Sequence, residues 1–240
     1  MELSIVLPTY NERKNIEVLI PRIEQSLKRH SLKAEIIVVD DDSPDSTGEA
    51  ARKLNKKYHN VVVMVRTGIK GIASAWLDGY GIARGKYIAT MDADLCHNPE
   101  DLVRMCRKLP EYDFVIGSRH MPGSGGMQKD KTFIQLLASR IARKISSLLI
   151  GLHFTDPTHS FRVFKRDVFY SVRGKVNSQG NYFLAEFLFY AVRAGYKVAE
   201  VPITYGKRGY GRTKLNVWKE GIRFLAKALK LFVRSRMMGR

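Results

Sequence analysis

The sequence predicts an α/β fold: a mostly parallel sheet flanked by helices, ending in a basic amphipathic helix. Three observations carry this. Short runs of Val, Ile and Leu alternate with segments whose apolar residues recur at helical spacing. Those runs are short enough for buried strands rather than helices. Polar clusters rich in Asp follow several of them directly, where open α/β sheets bind ligands.

The elements follow in order. Leu3–Leu7 is a first strand. A helix from Asn11 to about Arg29 puts Ile16, Leu19, Ile20, Ile23 and Leu27 on one face. Glu35–Val39 is a buried strand, Pro44–Lys57 a helix and Val61–Val65 a third strand. Gly71–Ala83 is a helix on which Gly71, Ala75 and Gly79 form a small-residue stripe suited to close packing. Tyr87–Met91 is a fourth strand, Pro99–Lys108 a helix and Phe114–Gly117 a fifth strand. Right-handed crossovers between such strands give a parallel sheet. The second half is less regular. Met121–Met127 is a Gly- and Ser-rich loop, and Phe133–Leu152 a long basic amphipathic helix. A short strand at Phe161–Phe164, a helix at Tyr182–Ala194 and a strand at Lys197–Tyr205 follow. Gly206–Lys214 is a Gly/Arg/Lys loop, and Leu215 to about Arg236 a final helix.

No linker, repeat or low-complexity tract divides the 240 residues, so a single domain over 1–240 is expected. The acidic clusters fall before Asp113, and from Lys129 onward Lys and Arg greatly outnumber Asp and Glu. An apolar content of 45% supplies a full core. Cys96 and Cys106 make neither a disulfide framework nor a metal finger, which suits a reducing cytosol. The start of the chain lacks a signal-peptide pattern, and no apolar run approaches the roughly 20 residues of a spanning helix. The net charge of +18 points to nucleic acid, anionic lipid or phosphorylated small molecules. No nucleic-acid-binding motif accompanies it, so nucleic acid is not expected as a partner.

Asp92-Ala-Asp94, just past the fourth strand, is the strongest single feature. Two hard oxygen ligands on a rigid strand end suit Mg²⁺ or Mn²⁺, which bridge phosphates. Against this stands a helix cap at Asp92 with a solvated Asp94. Pro8–Glu12 follows the first strand, Asp40–Asp45 the second and Gly117-Ser-Arg119 the fifth, all toward one sheet edge. Glu12 and Asp41 suit hydroxyl and amine donors, and Tyr10 suits stacking on a base. Ser43 and Asp45 read as turn and cap residues.

Six segments now stand in order: Pro8-Thr-Tyr-Asn-Glu12, Val39-Asp-Asp-Asp-Ser-Pro-Asp45, Met91-Asp-Ala-Asp-Leu95, Gly117-Ser-Arg119, Asp156-Pro-Thr-His-Ser-Phe-Arg162 and Gly211-Arg-Thr-Lys-Leu215. Together they resemble the inverting family 2 glycosyltransferases of GT-A fold, a Rossmann-like nucleotide-diphospho-sugar transferase fold. Within these the chain is similar to the short-form enzymes that glycosylate polyprenyl phosphates and carry no membrane domain of their own. The resemblance covers nearly the whole chain and implies that 1–120 is the nucleotide-sugar-binding half and 121–240 the acceptor-binding half with membrane-proximal helices. It implies transfer of mannose from GDP-mannose to dolichyl or another polyprenyl phosphate, for protein or lipid glycosylation. It implies Mg²⁺ or Mn²⁺ as cofactor, and Asp92, Asp94 and Arg119 as catalytic residues. Pro8, Tyr10, Glu12, Val39 and Asp41 match nucleotide contacts, and Asp92, Ala93 and Asp94 the metal–diphosphate motif. Arg119 matches a residue facing the phosphates, and Arg208 and Lys214 a basic loop closing on the donor diphosphate. Arg119, Ser139 and Arg140 are the acceptor-phosphate candidates.

Two positions depart from the pattern. Some members place a metal-binding Gln where this chain has Cys96, and a thiolate is a poor ligand for a hard ion, so water is expected there. The acceptor seat often has a basic residue where this chain has Gln135, which leaves Lys131, Arg140 or Arg119 to compensate.

The acceptor's chemistry accounts for the missing base. A phosphate monoester, with a second pKa of about 6, is already a dianion at neutral pH and needs positioning rather than deprotonation. The lipid acceptor also calls for a membrane. In the final helix Ile222, Leu225, Leu229 and Phe232 form one stripe flanked by Lys219, Arg223, Lys227, Lys230 and Arg234. That pattern fits either an interfacial helix on anionic lipid or a helix packed on the domain with a solvated basic face. A peripheral position on the cytoplasmic face of a membrane, with a membrane-anchoring partner subunit, is the expectation. The competing readings are a glucosyltransferase using UDP-glucose or another nucleotide sugar, a nucleotide-sugar pyrophosphorylase, and a basic nucleic-acid binder. The pyrophosphorylase would want a Gly-rich loop where Pro8–Glu12 stands, and the binder leaves the strand-end carboxylates unexplained.

Overall fold

The structure, a computed structural model, describes residues 2–68, 70–126, 153–180 and 182–211, together with 227, 229 and 233. Seven strands form one sheet in the order β3-β2-β1-β4-β7-β5-β8. They are β1 (Leu3–Thr9), β2 (Ala34–Asp40), β3 (Val61–Val65), β4 (Tyr87–Thr90), β5 (Phe114–Ser118), β7 (Arg162–Lys165) and β8 (Val198–Pro202). A two-stranded ribbon pairs β6 (Gly125–Gly126) with β9 (Thr204–Tyr205). Helices α1 (Arg13–Arg29), α2 (Thr47–Tyr58), α3 (Ile72–Ile82) and α4 (Pro99–Cys106) alternate with the first five strands. Helices α5 (Arg166–Val172) and α6 (Tyr182–Arg193) follow β7.

The first half matches its sequence pattern because each strand feeds a helix that covers the sheet. Ile5 and Leu7 point into a core shared with Ile16, Leu19 and Ile23 of α1 and Ala51 of α2. Val6, between them, joins Trp76 and Tyr80 of α3 on the opposite face. Both faces are covered, so β1 and β2 are apolar at nearly every position rather than alternating. A Cβ at Gly79 would stand 2.4 Å from Val6 Cγ1, so Gly79 lets α3 lie close on the sheet with Ala75 buried, whereas Gly71, the third residue of the expected small-residue stripe, is the exposed N-cap of α3 and does not pack there. Pro99 opens α4, and Asn98 caps it by accepting from the Glu100 N–H at 3.1 Å.

The second half departs from its pattern. The strand expected at Phe161–Phe164 is β7, one residue later, and it lies antiparallel between β4 and β5. It therefore starts at the edge where its parallel neighbours end. Helix α5 was not expected. The strand expected at Lys197–Tyr205 divides into β8 and β9, and the loop expected over Met121–Met127 includes β6. The expected helices at 133–152 and from 215 lie outside the described residues, apart from the helical positions 227, 229 and 233. Among the described residues, no helix is long and apolar enough to cross a membrane.

Candidate active site

The C-terminal ends of β1, β2, β4, β5 and β8 share one sheet edge, because these strands are parallel. Their turns are unusual. Asn11, Asp42, Ser46 and Leu95 all have φ between 55° and 70°, left-handed conformations away from glycine. Such residues persist where the surroundings over-determine them, and they cluster at functional sites. Here the turns brace one another. Asp45 accepts from the Thr47 N–H at 3.0 Å and the Arg13 N–H at 3.1 Å. Ser43 Oγ accepts from the Asn11 N–H at 2.9 Å, and Thr47 Oγ1 from the Glu12 N–H at 3.1 Å. Ser43 and Asp45 are thus the turn residues the sequence implied.

Asp92 and Asp94 lie together past β4, each held by its surroundings. Ser160 Oγ donates to Asp92 Oδ2 at 2.7 Å, and the Asp92 N–H donates to His97 Nδ1 at 3.1 Å. Burial raises the Asp92 carboxyl above its ordinary range. Asp94 Oδ1 accepts the Cys96 N–H at 3.0 Å, while Arg208 Nη2 stands 3.4 Å from Asp94 Oδ2. Arg208 Nη1 also donates to Glu12 Oε1 at 3.0 Å, so one guanidinium spans two carboxylates. Asp94 is therefore paired with a cation, not simply solvated. Burial and the Asp94 carboxylate push the Cys96 thiol up to about 12, so it stays protonated and is no ligand for a hard ion.

These residues fit a hard divalent cation. Two carboxylates follow one strand end, Arg208 already places positive charge between Asp94 and Glu12, and Asp92 is a half-buried carboxyl whose charged form burial disfavours. No three His, Cys, Asp or Glu side chains converge as a ready ligand set among the described residues. A cation here would keep waters or phosphate oxygens in its shell, as Mg²⁺ commonly does.

The other expected residues are placed as follows. Asp41 is buried and wholly engaged: it accepts from Arg66 Nε at 2.8 Å, again from Arg66 Nη2, and from the Gly71 N–H at 2.8 Å. Tyr10 is 42% exposed at the rim, with Lys70 Nζ 5.8 Å from its ring centre. Val39 is fully buried and its carbonyl accepts from Thr9 Oγ1, while Ala93 is buried and Pro8 half-buried. Arg119 was expected to face phosphates, with a surface salt bridge as the alternative. It makes a salt bridge, half-buried at the arginine and fully buried at its partner: Nε and Nη2 donate to Asp156 Oδ2 and Oδ1 at 2.8 and 3.0 Å. The Arg119 guanidinium also lies 5.3 Å from the Tyr205 ring centre. Asp156 is completely buried, and Arg119 holds its carboxyl well below the usual carboxylate range against the opposing effect of burial. Lys214, Ser139, Arg140, Lys131 and Gln135 lie outside the described residues.

Sequence reasoning missed Arg66, Asn15 and His97, and it held Asp156 and Ser160 only as parts of a motif, without a role. Arg66 stands directly after β3 at the same edge, which was the available signal. The segment from Asp156 to Ser160 reaches Asp92 only because β7 is antiparallel. Arg162, 1% exposed, fixes that turn by donating to the His159 and Leu184 carbonyls at 2.6 Å each and to that of Pro157.

This arrangement, a nucleotide-scale edge with paired carboxylates and a bridging arginine, sits on the fold of the GT-A nucleotide-sugar transferases. The glucosyl-3-phosphoglycerate synthase of Mycobacterium tuberculosis, solved with Mn²⁺, UDP and glucosyl-3-phosphoglycerate, superposes with a TM-score of 0.70 at 19% identity over 95% of this chain and 78% of that one. The mannosyl-3-phosphoglycerate synthase of Rubrobacter xylanophilus gives 0.70 at 19% identity over all of this chain and 75% of that one. The Glycosyl transferase family 2 model matches residues 4–173, and the chain belongs to that family of glycosyltransferases. The chain is 38% identical to the dolichol-phosphate mannosyltransferase of Pyrococcus furiosus over 90% of its own length and 59% of that protein's. It therefore spans less than two thirds of that relative. Against the polyprenol monophosphomannose synthase of Mycolicibacterium smegmatis it is 34% identical over 88% of its own length and 80% of that protein's. The resemblance carried by the six motifs is thus met by relatives of the kind it implied.

Proposed function

We propose that this chain transfers mannose, with inversion, from GDP-mannose to the phosphate of a polyprenol such as dolichol. The observation that supports it most is the pairing of Arg208 with both Glu12 and Asp94 at the edge that carries all the nucleotide-matching motifs. The relatives' names supply the mannosyl donor and polyprenyl acceptor classes.

In this reading Asp92 and Asp94 hold Mg²⁺ or Mn²⁺, which when bound stabilises negative charge on the departing diphosphate. Ser160 and His97 keep the Asp92 carboxylate and backbone in place. Glu12, Tyr10 and Asp41 form the nucleoside end, with Asp41 fixed by Arg66 rather than free to rotate. Arg208, on a Gly-bounded strap, is a cation that exchanges its carboxylate partners for diphosphate oxygens, and Lys214 has the same role in this proposal. Arg119 holds positive charge at the far side of the site, oriented by Asp156; a planar guanidinium suits phosphate oxygens. No side chain removes a proton from the acceptor, because the phosphate arrives as a dianion. Ser139 and Arg140 belong to the acceptor seat in the same proposal.

A peripheral site on the cytoplasmic face of a membrane, helped by a membrane-anchoring subunit, completes the proposal. It is supported by the net charge of +18 and by Leu229 and Val233, four residues apart and both more than half exposed. A panel of GDP- and UDP-sugars, incubated with polyprenyl phosphate and Mn²⁺ and read as lipid-linked product, tests the reading. Product from GDP-mannose is expected; product from UDP-glucose alone would transfer the assignment to a glucosyltransferase.

A further inference from the structure

Asn15 is 1% exposed although it lies in the first turn of a surface helix, and the reason is the strap that covers it. The strap follows β9, running from Gly206 to Gly211 within the described residues. The Tyr210 N–H donates to Asn15 Oδ1 at 3.0 Å, and Asn15 Nδ2 donates to the Tyr210 carbonyl at 3.2 Å. The same Nδ2 donates to Glu12 Oε2. Glu12 and the Tyr210 carbonyl can only accept, and the Tyr210 N–H can only donate, so a single orientation of the amide satisfies all three. One side chain thus grips the strap backbone and the carboxylate that Arg208, also on the strap, holds from the other side. The strap fits closely: a Cβ on Gly209 would stand 2.4 Å from Leu95 Cδ1 and 2.9 Å from Asn15 Oδ1. The Gly209 N–H donates to the Asp94 carbonyl at 3.0 Å, tying the same strap to the carboxylate loop.

We propose that Asn15 is a positioning residue, a latch that couples seating of the Gly206–Gly211 strap to the orientation of Glu12 and so sets affinity for the donor nucleotide. The donor half of this statement rests on the function proposed above; the latch itself does not. The Arg208–Glu12 contact alone would not couple the two, because it joins one side-chain tip to another and moves with the arginine's rotamer. Asn15 touches the strap's backbone, whose position it reads regardless of side-chain rotamer.

Two variants approach the latch from opposite sides. Asn15→Ala removes the amide, while Gly209→Ala leaves it intact and blocks the strap from seating. The readout besides activity is trypsin cleavage after Arg208, followed by mass spectrometry and normalised to other cuts in the same digest. While Arg208 is held by Glu12 and Asp94, it is withheld from the protease. Losing two neutral hydrogen bonds should raise cleavage after Arg208 by about tenfold in each variant. The donor KM should rise by a similar factor, with a smaller change in kcat and an unchanged melting temperature. Asn15→Asp, the isosteric change, should be at least as damaging as Asn15→Ala, since it sets a carboxylate against Glu12 and the Tyr210 carbonyl. Unchanged cleavage after Arg208 in both folded variants, or faster cleavage with donor KM unmoved, would overturn the proposal. Faster cleavage in a protein whose parent turns over no GDP-sugar would instead leave the latch standing and remove the function proposed for the site.

Discussion

Arg119 and Arg208 both meet carboxylates at the same sheet edge, but in opposite ways. Arg119 binds Asp156 through two parallel hydrogen bonds, and Asp156 has no exposure to solvent. Arg208 touches Glu12 at 3.0 Å and Asp94 at 3.4 Å with one nitrogen each; the two arginine side chains are equally exposed, 31% and 30%, but Glu12 and Asp94 keep some contact with water where Asp156 has none. The bidentate pair is costly to separate, because Asp156 would be left charged away from water. Single-nitrogen contacts to carboxylates that water can reach are worth less and exchange more readily. The lesson is that one guanidinium is a fixture of the fold and the other a displaceable counter-charge, although both stood in the sequence as site cations of equal standing.

The largest expected effect sharpens the displaceable side. Asp94→Asn removes charge from the strand end, and turnover should fall by about a hundredfold or more. Excess EDTA should do the same to the unaltered protein, and full turnover in EDTA would take the cation out of the reading.

Next comes the fixed side. Asp156→Asn leaves Arg119 without its counter-charge and should cost about 3 kcal/mol of stability at neutral pH, measured by urea unfolding. The sign with pH follows from the depressed carboxyl. Asp156 gives up its proton more readily in the folded chain than in the unfolded one, so its contribution is present above the unfolded value of about 3.9 and is lost as pH falls through the lower folded value. The gap between parent and variant should therefore be widest from about pH 5 to 7 and should narrow below about 4. A gap that stays constant down to pH 2 would mean the pair is not what holds Asp156.

Arg208→Ala should show the contrast directly. Its stability should stay within about 0.5 kcal/mol of the parent, as for single-nitrogen contacts at the rim of a site, while donor KM rises by about tenfold. A variant that unfolds like Asp156→Asn would erase the distinction between the two arginines.

The smallest effect concerns the absence of a base. Activity should fall as pH drops through the acceptor's own second pKa, about 6. With a phosphonate acceptor of different second pKa, the acidic limb should move with the acceptor, where chemistry limits the rate. A limb fixed across acceptors but shifted by a side-chain substitution would assign a base to the protein.

Much of this was legible in the sequence, for a local reason. A strand covered on both faces must be apolar along its length, and a helix covering it must be apolar every third or fourth residue, so β1 to β5 and α1 to α4 announce themselves. The turns after parallel strands must share one edge, which placed Pro8–Glu12, Asp40–Asp45, Asp92–Asp94 and Arg119 together. The tertiary structure alone decided the rest. Nothing local in Arg162–Lys165 says that it inserts antiparallel between β4 and β5, yet that reversal brings Asp156 onto Arg119 and Ser160 onto Asp92. Nor does spacing tell that Asn15 reaches Tyr210, 195 residues away. Periodicity records which side of an element meets the core; it carries no record of which distant charge or amide a polar side chain will find, because that is fixed by strand order and by how the chain returns.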